Sequence, residues 1–540
     1  MKKIWIAAAA LLSACATPAS TETGPPPLSH DALMAHVRVL ASDEFEGRSP
    51  GTRGEELSVA YISRAFEAAG LEPGANGSWV QDVPMVTATV TNSPTLRIGS
   101  HSYAFGTDFV AWTKHQNEPR ISIENTELVF VGYGVTAPEN NWDDFAGVDV
   151  RGKIIVMLVN DPDFDTGDDR GFGGRRMTYY GRWTYKFEEA ARRGAAGVLL
   201  IHEDEAAAYP WPVVNSSWTG PQHDLARDNQ GVDRARIEGW ITNRVARELF
   251  ADAGLDFDRE RARAQNRGFR PVSLRARGSI TLETQLERHA SRNVIGVLRG
   301  RERPNEAVLY GAHWDHLGRC TPVRGDDICN GARDNATGVA GLIELARRYH
   351  QDGAPERSVA FIAFTAEESG LLGSQYYAEH PVFAPRDTAA MINMDGLSTV
   401  GPARDVIVVG FGQTDLQDRL VAAARTQGRT VVPEIYPERG SFYRSDHFNL
   451  AKIGVPVLYA GAGNDLVNGG PERARQLSDA YLADGYHKPD DEVGPDWDMT
   501  GATQDLTLLY QVGREVADSD VWPHWSASSE FRAARTAQNR

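Results

Sequence analysis

The sequence predicts an α/β protein whose mostly parallel sheet is covered by helices on both faces. From residue 292 onward, almost continuously apolar runs alternate with helical stretches, the pattern of strands that are buried on both sides. Acidic and histidine side chains directly follow several of these runs, which places them at one edge of the sheet. The candidate strands are NVIGVLRG, AVLYGAH, VAFIAFTAEE, AAMINMDG and VPVLYAGAG. The candidate helices between them span 336–350, 370–379 and 415–427.

The N-terminus has the pattern of an export signal. Two lysines precede a short apolar run and then small residues before a cysteine, in MKKIWIAAAALLSAC. The last four of these residues, Leu12 to Cys15, resemble the bacterial lipobox, in which the signal is cut before a cysteine that becomes acylated. We therefore expect a signal peptide over 1–14, a lipidated Cys15 and a flexible tether over 15–30. The alternative is an ordinary cleaved signal with a chance cysteine.

This signal predicts an exported protein of the bacterial cell envelope. Its lipid would anchor it to the outer or inner membrane, with the folded part facing the periplasm or the exterior. The chain has 56 basic and 73 acidic residues and a net charge of −17. Such a charge argues against an extended phosphate-binding surface, so nucleic acid is not an expected partner.

The length of 540 residues predicts two or three structural units. Residues 31–120 begin with two amphipathic helical patterns and continue as short alternating strands. Residues 121–285 contain ELVFVGYGV, GKIIVMLVND, KFEEAARRGAAG and GVLLIHE, an order of two strands, a helix and a strand that resembles the protease-associated domain. Residues 286–520 hold the alternating runs described above, and residues 521–540 are expected to be a C-terminal tail.

Two cysteines lie in the main part of the chain, Cys320 and Cys329. In an oxidising compartment, a disulfide is the natural expectation for this pair. Two unrelated buried thiols are the alternative, and two thiols alone make a poor zinc site.

Seven acidic or histidine residues fall at the predicted carboxyl edge of the sheet or in the loops beside it. They are His313, Asp315, Asp334, Glu367, Glu368, Asp395 and His487. Any one of them has an ordinary explanation, such as a helix cap. Several carboxylates converging on one edge would repel and desolvate one another unless cations neutralised them, so together they predict a metal site.

The types of ligand indicate which metal is bound. Two imidazoles with three carboxylates suit zinc better than calcium or magnesium, which prefer shells made only of oxygen. Five protein ligands are too many for one catalytic zinc with an open position, but they fit two zincs that share a bridging carboxylate. Two such metals can hold a hydroxide between them and polarise a carbonyl, which is chemistry suited to amide hydrolysis.

These residues lie in motifs that resemble the two-zinc exopeptidases typified by bacterial leucyl aminopeptidase and aminopeptidase Y, with glutamate carboxypeptidase and transferrin receptor as relatives. The motifs are GAHWDHLG, NGARDNATGVAG, FTAEESGLLGS, INMDG, and SDHF followed by GYHKPDD. The resemblance covers about residues 31–515. It implies a zinc-exopeptidase fold of the phosphorylase/hydrolase-like type with an inserted β-rich protease-associated domain.

The resemblance also implies a role for each site residue. His313 and Asp395 would bind one zinc, Glu368 and His487 the other, and Asp334 would bridge both, followed by a cis peptide to Asn335. Glu367 would be the general base, Asp315 would orient His313, and Tyr486 would donate to the oxyanion.

The expected activity is hydrolysis of peptide bonds at a chain end. An aminopeptidase comes first because aminopeptidases predominate in the family. Arg439 and Arg444, in ERGSFYRSDHF, are candidates for holding a substrate carboxylate, which would favour a carboxypeptidase or dipeptidase. A non-catalytic binding protein would be expected to have lost ligands, and a glutaminyl cyclase on the related fold uses one zinc; the complete ligand set argues against both.

Overall fold

A computed structural model describes residues 28–538. Its main sheet has a parallel centre, where Arg303–His313 lies between Arg357–Phe364 and Thr388–Asn393. Antiparallel neighbours complete the sheet on both sides. In spatial order its strands are the end of Val272–Leu298, then Arg357–Phe364, Arg303–His313, Thr388–Asn393, Val457–Gly461, Asp405–Val409 and Thr430–Pro433. The predicted fold class is confirmed.

Burial on both faces explains why the strands are apolar without interruption. In Arg303–His313, Val308 and Tyr310 pack into the core on one face, while Ala307 and Leu309 pack into the core on the other. Successive side chains of a strand point to opposite faces, so a strand with two covered faces needs apolar residues at every position.

Helices cover each face of this sheet. One face is covered by His30–Leu40, Arg53–Ala68, Thr337–Gln351, Leu416–Thr426 and Thr500–Ala517. The other is covered by Leu372–Glu379 and His447–Lys452. The remaining helices of this part are Gly470–Ala480 and Arg532–Gln538. The three helices predicted between strands are present within two residues of their expected bounds. The first helix, His30–Leu40, is capped by Ser29, whose side chain accepts from the Ala32 N–H.

The chain forms a second sheet, which packs against its own set of helices. Its strands are Thr95–Ile98, His101–Ala104, Phe109–Trp112, Arg120–Phe130, Ile154–Leu158, Gly197–His202, Ile237–Thr242 and the first part of Val272–Leu298. Its helices are Trp183–Arg192, Asp204–Ala207, Trp211–Trp218, Asn243–Asp252 and Phe257–Ala264. Strands upstream of residue 121 already belong to this sheet, so it begins earlier than the sequence-based boundary. That the segment is a protease-associated domain stays a prediction.

The strand Val272–Leu298 joins the two sheets, because its 27 residues pair with Arg120–Phe130, then with Val80–Val90, and finally with Arg357–Phe364. The short strands are Glu72–Pro73, Thr136–Ala137, Trp142–Asp143, Gln222–Leu225, Gly318–Val323 and Asp326–Cys329. Single turns of 3-10 or π helix occur at Asp43–Arg48, Pro138–Asn140, Tyr179–Gly181, Ala332–Ala336, Pro385–Asp387, Pro437–Arg439, Ser441–Tyr443 and Tyr481–Gly485.

The expected C-terminal tail packs against the main sheet as far as residue 538. Trp525 and Phe531 are buried there, and Arg535 donates to the Pro385 and Thr388 carbonyls. Among residues 28–538 there is no helix with the length and apolar character that a membrane crossing requires. The expected signal peptide and Cys15 lie outside the described residues.

Candidate metal centre

Three neighbouring parallel strands deliver side chains to one edge of the main sheet. His313 is the last residue of its strand, Glu367 and Glu368 follow Arg357–Phe364, and Asp395 follows Thr388–Asn393. The turn before Thr337–Gln351 adds Asp334, and the loop after Tyr481–Gly485 adds His487. The five predicted metal ligands therefore meet, as the carboxyl ends of adjacent parallel strands do.

The two carboxylate oxygens of Asp334 face two different imidazoles. Its Oδ1 lies 3.3 Å from His313 Nε2, and its Oδ2 lies 3.4 Å from His487 Nε2. His313 Nε2 is also 3.3 Å from Asp395 Oδ1, and His487 Nε2 is 3.1 Å from Glu368 Oε2. Atoms bound about 2.0–2.1 Å from a tetrahedral zinc lie about 3.3 Å from one another, so these separations fit two zinc ions that share Asp334.

The shifted pKa values of the clustered side chains also indicate a metal site. Burial would raise the pKa of Asp334, yet hydrogen bonds with His313 and His487 hold it well below its usual range. Burial would lower the pKa of His487, but Glu368 and Asp334 raise it to about 10. Buried carboxylates and imidazoles that shift one another in this way form a cluster whose negative charge dications would neutralise.

Glu367 differs from its neighbour because its carboxylate makes no hydrogen bond within residues 28–538. Burial raises its pKa well above the usual range; His313 opposes this, and Asp395 and Glu368 add to it. Ala366, just before the pair, has a φ of 51°, and His487 has a φ of 57°. Such values cost non-glycine residues energy and are concentrated at functional sites.

Asp315 has a contact that differs from the expected one. Its Oδ1 is 3.8 Å from His313 Nδ1, beyond hydrogen-bond range, whereas its main-chain oxygen lies 3.2 Å from that nitrogen. The carboxylate instead accepts from the backbone N–H groups of Glu367 at 3.1 Å and Glu368 at 3.4 Å. Asp315 therefore orients the paired glutamates more directly than it orients the imidazole.

Tyr486 stacks on His487, with ring centroids 3.9 Å apart. Its hydroxyl makes no hydrogen bond to the described residues. The ring is thus placed beside a metal ligand with a donor still free, which is compatible with the expected contact to an oxyanion.

Three supporting residues were not identified from the sequence. Asp491 accepts from the backbone N–H of Asp334 at 3.1 Å. Asn335, joined to Asp334 by the expected cis peptide, donates to the Met394 carbonyl beside Asp395. Arg48, which is fully buried, is the third.

The Arg48 side chain joins the two loops that carry His313 and Asp334. It donates to the carbonyls of Trp314 at 2.8 Å, Asn330 at 2.6 Å and Gly331 at 2.8 Å. The only sequence signal for it was its place in the glycine- and arginine-containing loop EGRSPGTRGEE.

The expected disulfide is present between Cys320 and Cys329. It joins the hairpin strands Gly318–Val323 and Asp326–Cys329, which lie in the connection between His313 and Asp334. Cross-linking this hairpin restricts the loop that separates two candidate metal ligands.

A cleft of about 620 Å³ opens between the second sheet and the metal centre. Arg444 lines it, as do Arg182 of the inserted segment, Glu367 and Tyr486. Arg439, the other arginine candidate, is exposed, stacks on Tyr436 and does not line this cleft. Only one of the two predicted arginines, Arg444, therefore faces the site. Arg182 was not predicted from the sequence, because its position in the cleft depends on how the inserted segment packs.

One family model and several known proteins match parts of the chain. Residues 293–511 match the model of Peptidase family M28. A probable zinc metalloprotease of Pyrenophora teres is 39% identical over 102 residues, covering 19% of this chain and 22% of the relative. A glutamate carboxypeptidase 2 homolog of Caenorhabditis elegans is 34% identical over 320 residues, covering 50% of this chain and 37% of the relative.

A probable lipoprotein aminopeptidase, LpqL, of Mycobacterium tuberculosis is 27% identical over 199 residues, covering 34% of this chain and 37% of the relative. Among solved structures, an aminopeptidase from Aneurinibacillus is 20% identical with a TM-score of 0.48, covering 90% of this chain and 93% of that one. The alignments span less than two fifths of the length of these curated relatives. The segment that matches the family model, residues 293–511, contains the five candidate ligands.

Proposed function

We propose that this protein is a zinc-dependent exopeptidase that binds two zinc ions. The observation that carries the proposal is the position of Asp334, whose two oxygens face separate imidazoles at distances suited to shared zinc coordination. His313 and Asp395 would hold one ion, and Glu368 and His487 the other. Asp334 would bind both.

The contacts of Glu367 and Glu368 support a different role for each residue. Zinc ions bound here would supply an acidified water and polarise the peptide carbonyl. Glu367, whose carboxylate is free and lies beside the ligand set, would take a proton from the attacking water and deliver it to the leaving amine. Tyr486 would donate its hydroxyl proton to the developing oxyanion.

We further propose that the protein is exported and anchored to the bacterial envelope by a lipid on Cys15, with peptides as its substrates. The lipobox-like sequence supports the anchor, and a relative from M. tuberculosis is named a probable lipoprotein aminopeptidase. The inserted segment, as a protease-associated domain, would form one wall of the substrate cleft.

An aminopeptidase is the first candidate for the end of the peptide that is recognised, since relatives carry that name. The test is to purify the folded protein, count zinc per chain, and assay aminoacyl and C-terminal glutamate substrates. We expect two zinc ions per chain and hydrolysis that stops when a chelator removes them. Wild-type protein that binds no zinc would refute the proposed function.

A second candidate, a carboxypeptidase or dipeptidase, is favoured by two arginines in the cleft. The Arg182 and Arg444 side chains make no hydrogen bond or ion pair with residues 28–538. Burial, together with the charge of Arg444, lowers the pKa of Arg182 to about 10. The acidic side chains of this cleft outside the metal centre already have partners, which are Lys452 for Glu188, Lys114 for Asp224 and Trp112 for Glu238. Arg182 and Arg444 are thus cations in the cleft that no described residue pairs, as the binding of a substrate carboxylate requires.

If the protein is a carboxypeptidase or dipeptidase, Arg182→Gln and Arg444→Gln should each raise KM for peptides with a free C-terminal carboxylate by roughly 10- to 100-fold. This is the change that corresponds to the loss of a hydrogen bond to a charged group, which contributes about 1.5–3 kcal/mol. Steady-state kinetics on matched peptides with a C-terminal acid or amide would measure this. Arg439→Gln is the control and should leave KM unchanged, because Arg439 lies outside the cleft. Equal effects on acid and amide peptides would contradict carboxylate recognition.

A further inference from the structure

His316, three residues after His313, also meets the metal centre but at a different distance. Its Nδ1 lies 2.7 Å from Glu368 Oε1. The four ligand pairs lie 3.1–3.4 Å apart. The shorter distance is that of a charge-assisted hydrogen bond, whereas two atoms on one zinc lie about 3.3 Å apart.

The two oxygens of Glu368 are therefore divided between two histidines. Oε1 accepts from His316, and Oε2 lies 3.1 Å from His487 Nε2. A carboxylate only accepts, so the shared proton belongs to His316 Nδ1. With Oε1 engaged in this way, Oε2 is the oxygen presented to the second metal position.

The His316 ring is held rigidly in this place. It is 1% exposed, and its backbone N–H donates to the Arg48 carbonyl. Gly331 packs so closely on the ring that a Cβ there would lie 2.5 Å from His316 Cγ. Together these contacts hold the ring against Gly331 and beside Glu368.

We propose that His316 is a positioning residue for the second metal: its Nδ1–H fixes Glu368 so that one oxygen points at the position shared with His487. This inference rests on the proposed function, because it presupposes that Glu368 binds zinc. Hydrogen-bonded partners of ligating carboxylates commonly set metal affinity, and their loss lowers it about 10- to 100-fold.

The test is a set of three substitutions compared in the full protein. Asparagine places an amide N–H near the position of Nδ1, glutamine places it near Nε2, and alanine removes it. We expect His316→Ala and His316→Gln to weaken binding of one of two zinc ions about 10- to 100-fold, and His316→Asn to stay within a few-fold of wild type. Equilibrium competition between the protein and a zinc chelator measures this, with zinc per chain as the readout.

The metal position that Glu368 does not bind is the control for the position that it does bind. The ion held by His313 and Asp395 should keep its affinity in all three variants, which separates an effect on Glu368 from general destabilisation. A cobalt-substituted sample of each variant adds a spectroscopic readout, since loss of the Glu368 oxygen changes the ligand field.

Two results would overturn the inference. Unchanged affinity in His316→Ala and His316→Gln would show that His316 does not position Glu368. Equal loss in His316→Asn and His316→Ala, with a changed cobalt spectrum in both, would make His316 a direct ligand. Wild-type protein that binds no zinc would instead refute the proposed function, so the two failures are distinguishable. If His316→Ala fails to fold, the comparison of asparagine with glutamine decides the question.

Discussion

Replacement of Glu367 by glutamine is expected to lower kcat by roughly 10²- to 10⁴-fold, the contribution typical of a positioned general base. The amide keeps the size of the side chain but cannot accept the proton of the attacking water. Zinc should stay bound, because none of the four ligand pairs includes Glu367. The backbone of Glu367 should also stay in place, since its N–H is held by Asp315.

Metal analysis and steady-state kinetics on the same samples measure this expectation. Glu302→Gln is a matched control, since its side chain is 61% exposed and does not line the cleft. The control should keep both activity and zinc. Full activity in Glu367→Gln with two zinc ions bound would mean that another group moves the proton.

That the candidate metal ligands lie together could be predicted from the sequence, because their placement follows from the sheet topology. Once the runs ending at His313, Phe364 and Asn393 are identified as parallel strands, the residues after them must meet at one edge. The geometry adds that Asp334 offers one oxygen to each imidazole, which no spacing along the chain encodes.

Other features depended on contacts between distant segments. The sequence motif GAHWDHLG presents His313 and His316 alike, and the 2.7 Å contact between His316 and Glu368, on which its proposed positioning role rests, becomes visible only in the structure. Arg182 approaches the cleft through the packing of the inserted segment, and Arg48 reaches loops about 270 residues away in the chain. Such long-range approaches leave no periodicity that a sequence pattern can reveal.

Substitution of Asp334 by asparagine is expected to weaken zinc binding at both positions. The amide nitrogen cannot ligate a cation and the amide oxygen carries no charge, so one ion loses its Asp334 ligand and the other keeps only a weaker one. The loss of zinc affinity should exceed the roughly 10- to 100-fold loss that follows removal of a hydrogen-bond partner of a ligand, because Asp334 is a proposed ligand of both ions. Peptidase activity should fall with the metal content.

The structure of the loop should survive this change, because Asp491 binds the backbone N–H of Asp334 and not its side chain. Chelator sensitivity therefore separates metal loss from unfolding. Zinc at a hundred times its Kd stabilises a folded protein by about 2.7 kcal/mol, so a chelator should lower the Tm of wild type and leave that of Asp334→Asn unchanged. Asp149→Asn, with a side chain that is 60% exposed, should behave as wild type. A variant that kept two zinc ions at wild-type affinity would show that Asp334 does not bridge the metals, and the site would then need a different ligand between His313 and His487.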